Sequence, residues 1–119
     1  MRLSAILAVT ATALASATGG GARAEDLTVT DLRCVVAFTV LVNNPTYHDA
    51  AASGIFYFLG RVEGREPQLD LAHALHDTRR GMQAGDFLTE AQRCGAVLKA
   101  KNDSLKAMNS SVLQKRGVG

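Results

Sequence analysis

The sequence predicts an all-α fold: four helices in a bundle, stapled from first to last by one disulfide. Three observations carry this. Phe87, Ala91, Cys94, Leu98, Lys101, Leu105, Met108 and Val112 follow one another at alternating steps of four and three. That is a heptad seam, interrupted only by Lys101, and it predicts a long helix packed along a neighbour. Gly54, Tyr57, Phe58 and Arg61 fall at the i, i+3, i+4, i+7 spacing of one helical face. They lie in the stretch from Ser53 to Arg65, whose Phe56, Tyr57 and Phe58 are half of the aromatic residues in a chain without Trp. Aromatic side chains bury the most area each, so this cluster is expected to anchor the core. Finally, the only cysteines, Cys34 and Cys94, flank that cluster, one on each side.

The N-terminal segment is expected to stand apart from the fold. Met1-Arg2 gives a positive start, Leu3 to Ala17 is an apolar run, and Gly19 to Gly21 leads to Ala22-Arg23-Ala24. This is the layout of a secretory signal peptide, with a small-x-small cleavage site after Ala24 or, as second choice, after Ala17. The run is shorter than the roughly 20 apolar residues of a membrane span. Residues 1–24 are therefore assigned to a leader and 25–119 to a single helical domain. Removing the leader takes away Arg2 and Arg23, which carry the whole formal excess of +2. The remainder is formally neutral. It has no long-range field to gather a nucleic acid, and no net charge to oppose self-association, so a homo-oligomer is allowed. In an exported chain two cysteines read as one disulfide, which points to a periplasmic or secreted protein with no membrane contact after cleavage.

In chain order, Glu25 to Thr30 reads as a polar lead-in. Thr28 or Thr30 is the expected cap of the first helix, with Asp31 in its first turn. Leu32 to Asn43 is almost wholly apolar; a buried strand is the competing reading, but Cys34, Phe38 and Leu41 share a helical face. Asn43-Asn44-Pro45 stops this element, and Pro45 opens a second helix expected over Thr46 to Glu63, with Gly64 as its C-terminal cap. Ala50 to Gly54 form a small-residue surface on it. A third helix is expected from Gln68 to Arg80, with Leu71, Ala72 and Leu75 as its apolar face and Gly81 ending it. Asp86 is the expected cap of the last helix.

Motifs for chemistry are sparse. Asp70, His73 and Asp77, with His76 adjacent, fall on one helical face and are weak candidates for a Zn²⁺ or Cu²⁺ site. The same pattern describes a solvated polar face, and no metal or other cofactor is assigned. Gly60-Arg61 and Gly64-Arg65 put two guanidiniums four residues apart, beside Tyr57. Arg61, Arg65 and Tyr57 are candidates to contact a partner or an anion. The competing reading has the two arginines complement the helix end and pair with Glu63, Glu66 or Asp70. There is no nucleophile elbow, phosphate loop or zinc-protease helix, so no catalytic residue is assigned and an enzyme is not expected.

A leader, Cys34, an aromatic run with Leu59-Gly60-Arg61 and Gly64-Arg65-Glu66-Pro67, then Arg93-Cys94-Gly95, resembles small exported bacterial helical proteins of unassigned function. That resemblance spans Cys34 to Leu98 and implies no activity. In architecture alone the chain is similar to the periplasmic acid-stress chaperones, which are small, helical and tied by one disulfide. The expected function is non-enzymatic binding of another protein, as an inhibitor or immunity-type partner. The alternatives are a pH-dependent holdase and a small metal-binding or hydrolytic protein.

Overall fold

The computed structural model describes residues 23–117, and within them the chain folds as four helices and no strand. They are α1 (Ala24–Leu41), α2 (His48–Arg65), α3 (Leu71–Arg80) and α4 (Ala84–Lys115). Nearly all of the leader assigned to residues 1–24 lies outside the described residues.

The first helix is the centre of the bundle. It packs against α2, α3 and α4, whereas α2 and α4 barely touch. Leu32 and every residue from Cys34 to Phe38 are buried. A helix surrounded on several sides has no solvated face along that stretch, which explains the uninterrupted apolar run that also suited a strand. The helix begins earlier than expected. Glu25 to Thr30 are helical, no side chain caps the N-terminus, and Asp31 lies two turns inside rather than in the first turn.

Around α1 the core is built from Val35, Phe38, Ala51, Phe58 and the two cysteines. The rings of Phe38 and Phe58 sit 6.1 Å apart, and Tyr57 meets Phe58 edge-on at 5.0 Å. The aromatic hub is thus narrower than the sequence suggested. Phe58 is buried and Tyr57 half-buried, but Phe56 is 77% exposed on the opposite side of α2. Consecutive residues are about 100° apart on a helix, so three adjacent rings do not share one face. The small surface of α2 works as expected at Gly54. A Cβ there would lie 2.6 Å from Cε2 of Phe38 and 2.9 Å from Cδ1 of Leu98, so the residue lets α1 and α4 reach α2 together. The Cys34–Cys94 disulfide joins α1 to α4, with Cα atoms 5.6 Å apart.

The connections shift the expected boundaries. The Asn44 side chain accepts from the Thr46 amide at 2.9 Å, and the Tyr47 amide donates to the Asn44 carbonyl at 3.0 Å. This Asx-type turn holds Pro45 outside the helix, and α2 starts at His48. Gly64 does not cap α2. The helix runs through it to Arg65, and the Glu66 amide closes the last turn on the Val62 carbonyl. Asp70 caps α3 by accepting from the His73 amide at 3.1 Å, so that helix starts at Leu71 rather than Gln68. Its inward positions are Leu71, Ala74, Leu75 and Thr78, and Ala72 is exposed. In α4 the cap is Gln83, and Asp86 serves as the third residue of a capping box, accepting from the Gln83 amide at 2.8 Å.

The heptad seam of α4 divides in two. Phe87, Ala91, Cys94 and Leu98 turn inward, but every described residue from Lys99 onward is exposed. The long helix therefore overhangs the bundle instead of packing along a neighbour for its whole length. No helix among the described residues is long and apolar enough to cross a membrane.

Candidate interface between the second and fourth helices

Because α2 and α4 diverge on either side of α1, an open groove of about 870 Å³ lies between them. Phe38 and Leu41 of α1, with Ala51 of α2, line it between the two walls. One wall carries Tyr47, Ser53 and Tyr57; the other carries Leu88, Gly95 and Leu98, then Lys101 and Leu105 as α4 leaves the bundle. The lining is apolar and aromatic, with small residues where a second backbone would come close, and its only charged members are Lys99 and Lys101. Tyr57, a candidate contact from the sequence, lies on this wall.

Arg61 and Arg65 are brought together as their spacing required, but on a partner the sequence did not reveal. Both guanidiniums bind the carboxylate of Asp31: Arg61 Nε lies 3.1 Å from Oδ2, and Arg65 donates to the same oxygen. The Asp31 side chain is 3% exposed, and none of Glu63, Glu66 or Asp70 forms an ion pair with either arginine among the described residues. Arg61 also stands over the rings of Tyr57 and Phe58, at 5.7 and 5.6 Å. The pair thus locks α2 onto α1.

A second lock, which sequence reasoning missed, joins α1 to α4. Arg33 Nε donates to Glu90 at 2.8 Å, and Arg93 approaches the other Glu90 oxygen at 2.6 Å. Arg93 also donates to the Thr30 carbonyl at 3.1 Å and to Sγ of Cys34 at 3.3 Å. Burial pushes the Glu90 carboxyl up, but the hydrogen bonds and charges of Arg33 and Arg93 outweigh it and hold the group below its usual range. The i, i+3 spacing of Glu90 and Arg93 was a visible signal of a local pair, though not of the link to Arg33.

The histidine cluster stays on the exposed face of α3. His73 Nε2 lies 3.1 Å from Asp77, and His76 lies 3.5 Å from it. Asp70 is engaged in capping, so Asp70, His73 and Asp77 do not converge on one point. Among the described residues the one group with ligand atoms close enough to share a metal is Cys34, Glu90 and Cys94. Its sulfurs are bonded to each other and its carboxylate is held by arginines, which does not suit a cation.

Compared with protein-family models, curated proteins and solved structures, the chain matches none.

Proposed function

We propose that this is an exported, non-enzymatic protein that binds another protein, as an inhibitor or immunity-type partner does. The observation that carries the reading is the apolar groove between α2 and α4, with Leu88 at its edge 65% exposed and Tyr47 51% exposed. Apolar walls around a few polar positions are what a binding cleft needs, and contiguous exposed apolar surface marks interaction sites. Export is supported by the leader-like N-terminus and by a disulfide of the kind that oxidising compartments maintain. The two inward carboxylates, Asp31 and Glu90, are each held by two arginines that tie helices together. That engagement favours a structural use of these groups over proton transfer.

A photo-crosslinking residue at Ser53, in the groove, tests this against one at Arg79, on the far face of α3. The expected result is a discrete protein adduct from Ser53 only, whose purified partner rebinds the wild-type chain. Equal labelling from both positions, or none from either, overturns the reading.

The second reading, a pH-dependent holdase, is favoured by one observation: the α1–α4 lock depends on the Glu90 carboxylate. Its test is a circular dichroism and dye-binding titration down to about pH 2, where carboxylates are protonated. Dye binding that rises with loss of tertiary signal, together with suppressed aggregation of a client, supports it; no transition disposes of it.

A further inference from the structure

We propose that the groove and the overhanging end of α4 together receive an acidic amphipathic helix from a partner protein. This rests on the binding reading above and names the class of partner. The first support is shape. Leu98, on the groove wall, begins a stripe that continues through Leu105, Met108 and Val112 at the same four-three spacing. From Leu98 to Val112 this is roughly 20 Å of helix, about four turns. Leu105, Met108 and Val112 are 50%, 51% and 49% exposed, although a heptad seam is the pattern by which one helix recognises another. The seam is used against α1 as far as Leu98 and then stands without a neighbour. A second helix laid along it would be flanked at the groove end by Tyr47, just before α2, and by Tyr57 of α2, the helix-in-groove mode of recognition.

The second support is charge, and it selects the occupant. Lys101 stands in the stripe itself, and Lys106, Lys115 and Arg116 follow it. Asp103 is the one carboxylate on this part of the chain, and Lys99 holds it at 2.7 Å. Among the described residues Lys101, Lys106, Lys115 and Arg116 form no ion pair. A second copy docked along the stripe would set these cations against the same cations, which penalises self-pairing. A helix bearing Glu or Asp beside its apolar seam would neutralise them. A flat anionic lipid surface would meet the overhang but could not enter the concave half of the site.

The test uses a synthetic helix of about three heptads, with Leu on its seam, Glu beside the seam and one Trp. A sister peptide carries Lys in place of Glu. The protein has no Trp, so the emission reports the peptide alone. The Glu peptide is expected to bind about tenfold or more tightly than the Lys peptide, and to weaken as salt rises. Lys101→Glu with Lys106→Glu is expected to reverse that preference. Leu105→Asp with Met108→Asp is expected to abolish binding while leaving the urea midpoint in place, since both side chains are exposed already. Binding of neither peptide, equal binding of both, or binding that survives Leu105→Asp with Met108→Asp overturns the proposal. So does attachment to phosphatidylglycerol vesicles without peptide binding, or a concentration-dependent dimer that Leu105→Asp dissolves. If Ser53 still yields its adduct while the Glu peptide fails, only the partner class is wrong; if both fail, the binding reading falls as well.

Discussion

Asp31 is a buried carboxylate two turns into α1, just before its apolar run, and its environment defines its role. Its side chain is 3% exposed and touches guanidiniums from positions 30 and 34 residues further along the chain. The Gly-Arg-x-x-Gly-Arg spacing did show that Arg61 and Arg65 would share a side of α2. Spacing alone carries no information about which distant residue will face that side, so Asp31 read as a helix-dipole partner instead. Asp31 is buried, but the Arg61 and Arg65 side chains are 36% and 24% exposed, so removing the carboxylate leaves guanidiniums that water partly solvates, at a cost of about 2–3 kcal/mol rather than that of a fully buried pair. Arg65 raises the stake, because its Nε is already buried without a hydrogen-bond partner. Asp31→Ala is therefore expected to lower unfolding free energy by about that amount in urea melts, and Asp31→Asn by less, since an amide oxygen still accepts. An Asp31→Ala protein within about 1 kcal/mol of wild type would show that this lock contributes little.

At the scale of elements, the existence and type of all four helices were legible, because each has either the 3.6-residue period or a stop signal at its ends. The boundaries were not, and the reasons are local. Helix α1 extends back through Glu25 to Thr30, where Thr28 is buried and only tertiary packing could reveal it. The start of α2 is delayed by the Asn44 side chain, a turn that competes with proline as a helix opener. The seam of α4 was correctly read as one continuous helical face. Period, however, does not reveal where a neighbouring helix ends, so the exposed second half was invisible. This makes a prediction about the element itself. A chain ended after Asp103 keeps the Lys99–Asp103 pair and, among the described residues, loses only exposed ones. Its urea midpoint is expected to match that of the full chain, since surface residues far from the core change stability by about 0.5 kcal/mol or less. A midpoint that falls by more than experimental scatter would mean that the overhang packs in solution, against the bundle or against another copy.

In the whole molecule, α1 and α4 are joined twice, once by a covalent bond and once by a charge network. The bond was legible from the cysteine count and the leader-like N-terminus; it closes a span of 60 residues, for which the chain-entropy model gives about 4 kcal/mol. The network was not legible, because Arg33 and Glu90 lie 57 residues apart. Only the network responds to acid. The groups facing Glu90 are Arg33 from α1 and Arg93 from its own helix, with Asp86 beyond at 4.0 Å from Arg33. They hold the folded Glu90 carboxyl below its ordinary value of 4.5, so the unfolded chain takes up a proton first as pH falls. The stability this gives is complete above that ordinary value and is lost as pH drops through the lower, folded one. Urea midpoints measured stepwise from neutral pH down to about pH 3 are expected to decline below the ordinary carboxylate range. Glu90→Gln should start from a lower midpoint at neutral pH and decline less steeply over the same interval. Paired Cys34→Ala and Cys94→Ala should lower both curves without changing their difference in slope, because the disulfide does not titrate. Parallel curves for wild type and Glu90→Gln would mean that the acid sensitivity of the fold resides in other carboxylates, and the holdase reading would lose its one structural support.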